Sequence, residues 1–381
     1  MPKTLVIDDD QQTELYFRNH LRGLDETLQN RFVFAGTDEE ALAIIESAND
    51  IDVTLIAVDS PKLSGLSLFK QLSERRFRVP RIALANRPDI DLIRKAMNQG
   101  AADFLIKPLG FDDVAITIDK VFKDVEQKRK NWQERAEFSA LRREIDIAAD
   151  LQQRILPKTF PADGQLEVFA DVAPAKDMGG DFYDCFETAP GKIAFIIADV
   201  SGKSVPAAFY MAVARTLIRA QAMHSGKAAD CLWKVNNLLC QHEIPGMFVS
   251  AFFGIIDLDN YIIDFANGGH LPPVLMEAGG QTRFLDGGEG TVLGVMADLP
   301  YASGAVELNP GDGLFLYTDG LTEAFNLERD QFGEDRLEAA LKAAINGPAS
   351  AVTRAVNRQI FDFCNGAPVH DDMTSILIKR R

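Results

Sequence analysis

The sequence predicts an α/β doubly wound domain, a helical linker able to form a coiled coil, and an α+β domain with a central β-sandwich flanked by helices. Three observations carry this reading. Over the first 120 residues, short apolar runs alternate with amphipathic segments, the pattern of a parallel sheet wrapped by helices. A polar, helix-favouring stretch from Asp119 to Leu156 follows, free of Gly and Pro and ended by Pro157. Beyond it lie apolar strand-like runs that stop abruptly in Asp and Gly. The boundaries read as 1–120, 121–160 and 161–381, and a chain of 381 residues is long enough for two domains with separate cores.

In the first domain Thr4 to Ile7, Val53 to Val58, Arg81 to Leu84 and Phe104 to Ile106 read as strands, with helices near 11–23, 38–48, 65–75, 90–99 and 112–125. Function in such a sheet gathers at the carboxyl ends of the strands. Those ends carry Asp8-Asp9-Asp10, the Ala57–Gly65 loop, Ala85-Asn86 and Lys107-Pro108. The layout resembles a response-regulator receiver domain: an acidic pair after the first strand, a PxxxG loop after the third, KP after the fifth. In that family the phospho-accepting Asp stands four residues before the loop proline and eight before the glycine. Counting back from Pro61 and Gly65, both lead to position 57, which is Ala. The family's hydroxyl residue falls on Ala85. The resemblance therefore implies a receiver that cannot use aspartyl phosphorylation in the usual way, with Lys107 neutralising Asp8 and Asp9. In the competing reading Asp59 takes over after a loop shift; the Pro61 and Gly65 spacing and Ala85 oppose it. A receiver of this kind is left to act through a protein partner, which the sequence does not identify, through dimerisation, or through a ligand.

In the connector, Phe138, Leu141, Ile145, Ala148, Gln152 and Ile155 are spaced 3, 4, 3, 4, 3, a heptad seam with Gln152 as its polar interruption. Val121, Val125 and Trp132 continue the apolar face less regularly. The seam predicts a homodimer through the linker helix; a helix packed on its own domain gives the same pattern. Lys128-Arg129-Lys130 reads as a solvated face.

The last domain is organised around residues 177–208. The apolar run Ile193 to Ala198 is bracketed by Gly179-Gly180-Asp181 and Asp199-Val200-Ser201-Gly202. Leu314 to Tyr317 ends in Thr318-Asp319-Gly320, and His370-Asp371-Asp372-Met373-Thr374 precedes Ser375 to Ile378. Helices fall near 206–223, 227–241 and 334–345. Acids packed together raise one another's pKa, and a hard divalent cation removes that cost. Carboxylates at four strand ends are a recurrent layout for a two-metal hydrolytic centre. Other chemistries fit poorly. The chain has five histidines and no GxSxG elbow. Gly202-Lys203-Ser204 is not the end of a P-loop, because the glycine required at 197 is Ile.

The motifs GGDFYD, DVSGKSVPAA, NGGH, YTDGLTEA and DDMT, in this order, resemble the SpoIIE-like branch of the metal-dependent (PPM, protein phosphatase 2C-like) serine/threonine phosphatases, from about Ile145 to the end. The resemblance implies two divalent ions, Mn²⁺ or Mg²⁺, and a catalytic set of Asp181, Asp199, Asp319 and Asp371. Asp199 would bridge the metals, with Gly202 shaping its loop. Asp181 would serve the first metal, Asp319 and Asp371 the second, with a contribution from Asp372 left open. His270 reads as structural, and Asp184 as either a support of the acids or a surface residue. The implied substrate is a phosphoserine or phosphothreonine protein, specifically a STAS-type anti-sigma-factor antagonist of bacterial partner switching. The helix after Val205-Pro206 would lie beside the metals, and the linker, similar to the family's over Leu151–Pro157, would carry regulatory input. The alternative is a non-catalytic adaptor for a protein of that pathway, opposed by the retention of all five acids.

Composition bounds the rest. The net charge of −16 argues against nucleic-acid partners and anionic membranes. Cys185, Cys231, Cys240 and Cys364 lack CxxC spacing and read as thiols of a reducing compartment. No apolar stretch reaches the roughly 18 residues of a membrane span, and the first residues lack a signal-peptide core. A cytoplasmic protein is the expectation.

Overall fold

The computed structural model describes residues 2–22, 30–47, 50–74, 79–161, 164–241 and 244–381. The predicted helix ends at 23, 48 and 75 lie outside them. The chain divides into two compact units, Met1–Ala140 and Leu141–Arg381.

The first unit alternates β1 (Thr4–Ile7), α1 (Gln11–Leu21), β2 (Phe32–Ala35), α2 (Asp38–Ser47), β3 (Val53–Ala57), α3 (Gly65–Glu74), β4 (Arg81–Ala85), α4 (Ile90–Asn98) and β5 (Asp103–Ile106). The strands form one parallel sheet in the order β2-β1-β3-β4-β5. β2 is an addition to the four strands read from the sequence; a four-residue run, half-buried at its centre, carries too little pattern to stand out. Helices cover both faces, so β1 and β3 are buried along their whole length and read as unbroken apolar runs.

The predicted helix at 112–125 and the connector are one element, α5 (Phe111–Ile155). It ends before Pro157, whose ring would clash with the preceding turn. The division between the two units falls within it. Val114, Ile118 and Val121 are buried in the core of the first unit, while Phe138 and Leu141 of the heptad seam are exposed.

The second unit is a β-sandwich with helices on its outer faces. Its elements are β6 (Leu166–Ala173), β7 (Phe182–Ala189), β8 (Lys192–Val200), α6 (Val205–Ala222), α7 (Ala228–Cys240), β9 (Val249–Asp257), β10 (Ile262–Gly268), β11 (Val274–Met276), β12 (Thr282–Phe284), β13 (Glu289–Gly290), β14 (Gly304–Glu307), β15 (Gly313–Tyr317), α8 (Asp319–Thr322), α9 (Gly333–Ala344), α10 (Ala349–Cys364) and β16 (Met373–Arg380). One sheet runs β13-β10-β9-β8-β7 with β14 on β10; the other runs β12-β11-β15-β16-β6. Alternation along β8 shows why its run is apolar throughout. Ile193, Phe195 and Ile197 point into the sandwich with Leu314, Leu316 and Ile376. Ala194, Ile196 and Ala198 face α6 and α7. On the far side Phe315 and Tyr317 pack under α9 and α10. The helix α10 is absent from the sequence-based expectation, although Val352, Val356 and Ile360 form its buried stripe.

Candidate metal centre

The two sheets bring their acidic strand ends to one edge of the sandwich. Phe182 faces Ala198 in the β7–β8 hairpin, and the same register carried one residue further sets Asp181 beside Asp199. In the other sheet Tyr317 faces Ser375, which places Thr318-Asp319 next to the Asp371-Asp372 entry of β16. A hydroxyl ties the sheets together: the buried Thr318 Oγ1 donates to Asp181 Oδ2 at 2.7 Å and accepts from Thr374 N at 3.0 Å. Gly320 has no alternative, since a Cβ there would lie 2.0 Å from the Asp372 carbonyl oxygen.

Electrostatics binds these residues into one group. Asp181, almost wholly buried, is held well above the usual carboxylate range by burial and by the charges of Asp199 and Asp372. Burial, with Asp319, Asp371 and Asp372 nearby, pushes Asp199 up to about 6. Asp319 is raised by burial and by Asp371. Acids in mutual repulsion, with oxygen donors only, are the donor chemistry of a hard divalent cation. The residues present therefore fit such an ion in donor type. Among the described residues, however, no three His, Cys, Asp or Glu side chains already converge as a closed ligand cluster.

Two of the carboxylates have other partners. Lys203 Nζ donates to Asp371 Oδ2 at 2.8 Å and to the His370 carbonyl at 2.9 Å, so one carboxylate is engaged by a lysine. The Asp371 partnership in turn raises the Lys203 pKa. Asp372 is committed to the backbone: Oδ1 accepts from Ala175 N and Oδ2 from Gly180 N, each at 2.8 Å. It shapes the loop that delivers Asp181. Gly202 sits at φ 93°, in the left-handed region that favours glycine, between Asp199 and α6.

Two further elements hold the same loop. Gln152, near the end of α5, donates from Nε2 to the Gly179 carbonyl at 2.6 Å and accepts from Gly179 N at 3.3 Å. Arg142 grips Asp177 with two bonds of 2.6 and 2.8 Å. Neither Arg142 nor Thr318 is marked by the sequence as part of the site. The only signal available was Thr318's place in a strand end of otherwise apolar residues.

His270 is buried between the sheets. Its ring nitrogens meet Ser250 Oγ at 2.9 Å and the Tyr317 carbonyl at 3.1 Å. Ser250 is the cross-strand partner of Asp199, and Tyr317 lies two residues before Asp319. Burial pulls the His270 pKa down to about 4, so the ring is neutral and serves as a strut. Asp184 is buried and bound by Arg215 at 2.7 Å and Arg219 at 2.9 Å, both on α6, so it fastens that helix to β7.

At the strand ends of the first unit, Lys107 pairs with Asp8 at 2.5 Å, and Ser60 donates to Asp9. Ala57 closes β3 as a buried methyl group, and Ala85 closes β4. Asp59 accepts from Asn86 N at 2.7 Å and Asn86 Nδ2 at 3.0 Å.

Comparison with known proteins finds relatives of both units. The family model for Stage II sporulation protein E (SpoIIE) matches residues 189–381, and that for the response regulator receiver domain matches residues 4–119. The phosphoserine phosphatase RsbU of Bacillus subtilis (strain 168) is 27% identical over 279 residues, covering 73% of this chain and 79% of RsbU. Protein IcfG of Synechocystis is 27% identical over 266 residues, 63% of this chain but only 42% of IcfG. Among solved structures, the SiaA-PP2C domain of Pseudomonas aeruginosa shares the fold with a TM-score of 0.56 and 23% identity, covering 65% of this chain and 99% of that one.

Proposed function

The chain belongs to the SpoIIE family of PP2C-like serine/threonine phosphatases, with a receiver domain ahead of the phosphatase domain, and on that premise we propose that it hydrolyses phosphoserine or phosphothreonine in a protein substrate with divalent-metal assistance. The observation that carries the proposal is the placement of Asp181 and Asp199 from one sheet and Asp319 from the other at the same sandwich edge, where Asp199 is raised by Asp319 and raises Asp181 in turn. Asp181, Asp199, Asp319 and Asp371 would hold two divalent ions, Mg²⁺ or Mn²⁺. Bound there, such cations supply Lewis acidity toward the phosphoryl group and toward the attacking water.

The protein's own residues set the stage. Thr318 fixes the rotamer of Asp181. The Asp372–Gly180 bond holds the Asp181 loop against β16. Lys203 places a positive charge beside Asp371, where negative phosphoryl oxygens arrive. In this reading the carboxylates serve as metal ligands and not as nucleophiles; water attacks phosphorus directly, and the serine or threonine oxygen leaves as the alcohol after taking up a proton.

In this reading the substrate is a phosphorylated STAS-type anti-sigma-factor antagonist, as the family resemblance implies, and the enzyme acts in the cytoplasm. The receiver works without an aspartyl phosphate, because Ala57 stands at the acceptor position and Lys107 already neutralises Asp8. It is left to report the binding of a partner. The exposed Phe138 and Leu141 of α5 are suited to pairing with a second copy.

The test is phosphate release from an aryl phosphate and a phosphoserine protein with Mn²⁺, Mg²⁺ or EDTA, with Asp319→Ala as the matched control. Metal-dependent turnover lost in the variant supports the reading. No turnover with any cation would favour a non-catalytic adaptor.

A further inference from the structure

An apolar pocket of about 300 Å³ opens beside the acidic centre, between the end of α10 and the loop that leads into β16. Phe325, Ile360, Ala367, Val369 and Met373 form its walls. Lys203, Gly320 and Asp371 belong both to the pocket and to the centre, so the two are continuous. The size falls at the lower end for a ligand site, enough for one large side chain and not for an extended molecule. At the rim Phe361 is 76% exposed and Val369 48% exposed, apolar surface that the described residues leave uncovered.

We propose that this pocket is a specificity site that receives one large apolar side chain, such as Leu, Met or Phe, lying one or two residues from the phosphorylated Ser or Thr of the protein substrate. The inference rests on the phosphatase reading and names a feature of the substrate that reading leaves open. A chain whose phosphoryl group sits at the acids advances roughly 3.5 Å per residue, so its nearest neighbours are the ones that enter an adjoining pocket. The lining is mostly apolar; of its ionic groups Lys203 and Asp371 already face each other, and Glu323 disfavours an acidic neighbour. Filling the pocket also bears on the centre. Phe325 meets the His370 ring edge-on at 5.9 Å, and the His370 carbonyl is one of the two acceptors that hold Lys203. An apolar neighbour packed on Phe325 therefore steadies the lysine beside the phosphate.

The experiment measures kcat/KM in Mn²⁺ for phosphoserine peptides that differ only in carrying Leu, Phe, Ala or Asp at the positions flanking the phosphoserine, with an aryl phosphate as pocket-independent reference. Wild type should favour Leu or Phe over Ala or Asp by about tenfold or more. Phe361→Ser alters an exposed rim residue and should leave the fold intact; Ala367→Phe fills the pocket. Both should reduce the Leu and Phe peptides to the level of the Ala peptide while aryl phosphate turnover stays within about twofold. A preference absent in wild type, or unchanged in both variants, overturns the pocket while leaving the phosphatase reading in place. Failure to hydrolyse the aryl phosphate with any cation overturns that reading, and the pocket's assignment with it.

Discussion

Gln152 and Gly179 are joined by two hydrogen bonds, the side-chain amide of a helix residue reading both the carbonyl and the N–H of a glycine two positions before Asp181. A small cleft lined by Gln152, Gly179, Asp181 and Asp372 brings the last turns of α5 to the edge of the acidic centre. The polar interruption in the heptad seam is thus an attachment point. Replacing it by Leu keeps the volume but leaves two backbone groups unpaired, a loss of about 1–2 kcal/mol in the loop's held position. Gln152→Leu should weaken the apparent affinity for Mn²⁺ several-fold, read from turnover in a metal titration. A titration that overlays wild type would cut the helix out of the control of the site.

The acids repel one another in the absence of metal, so removing one should stabilise the metal-free protein while abolishing activity. Asp199→Asn takes away a group whose folded pKa lies near 6 against an ordinary value of 3.8. Near neutral pH that change should raise metal-free stability by up to about 3 kcal/mol. Turnover should fall by at least about a hundredfold. Thermal unfolding in EDTA and in Mn²⁺ provides the check: the cation should raise the wild-type midpoint much more than the variant's. A variant less stable than wild type in EDTA would contradict the repulsion argument.

Much of this centre was legible in the sequence because its chemistry sits at strand ends, where an apolar run gives way to Asp and Gly. The β8 run and the Asp199 turn are read directly, as are Asp319 after β15 and the Asp371 entry to β16. What the sequence hides are the contacts between distant elements. Thr318 to Asp181, Gln152 to Gly179, Arg142 to Asp177 and Lys203 to Asp371 each join segments far apart in the chain, and no local periodicity encodes a partner. The strand β2 and helix α10 escaped for another reason. One is four residues long and edge-placed; the other begins after a proline and carries polar residues between its buried positions. Asp372 shows the limit of motif reading, since adjacency to Asp371 says nothing about its bonds to Ala175 and Gly180.

Ser204 stands at φ 70° and ψ −149°, a region essentially reserved for glycine, at the start of α6. It makes no capping bond with its side chain, so the hydroxyl offers no compensation. Holding a side chain there costs on the order of 1–3 kcal/mol, part of which a glycine would return as unfolded-chain freedom. Ser204→Gly should therefore stabilise the protein by about 1 kcal/mol, a rise of roughly 2–4 °C in Tm. Ser204→Ala keeps the strain and should gain nothing. Equal midpoints for the glycine and alanine variants would mean that the backbone relaxes at this turn. Because the turn separates Asp199 from α6, the glycine variant should also change the metal concentration needed for half-maximal turnover.

His270 and Asp199 act in opposite directions as the pH falls. The folded pKa of His270 is near 4 against 6.5 in a free chain, so between those values the unfolded state takes up a proton that the folded state refuses. Stability contributed by the neutral ring is present above pH 6.5 and is lost progressively toward pH 4, on the order of 3 kcal/mol in all. Asp199 has its folded pKa raised to about 6, so in metal-free protein the folded state takes up the proton first and gains stability as the pH falls through 6. Asp181 adds to the same trend. In EDTA the two effects offset each other in wild type, whereas Asp199→Asn removes one side of the balance. Urea unfolding between pH 7 and 4 should accordingly show a steeper loss of stability in Asp199→Asn than in wild type. Parallel curves would mean either that His270 accepts a proton without unfolding or that Asp199 does not hold one in the metal-free fold. The His270→Gln variant separates these, because it should flatten the curve of Asp199→Asn only if the histidine is the group being titrated.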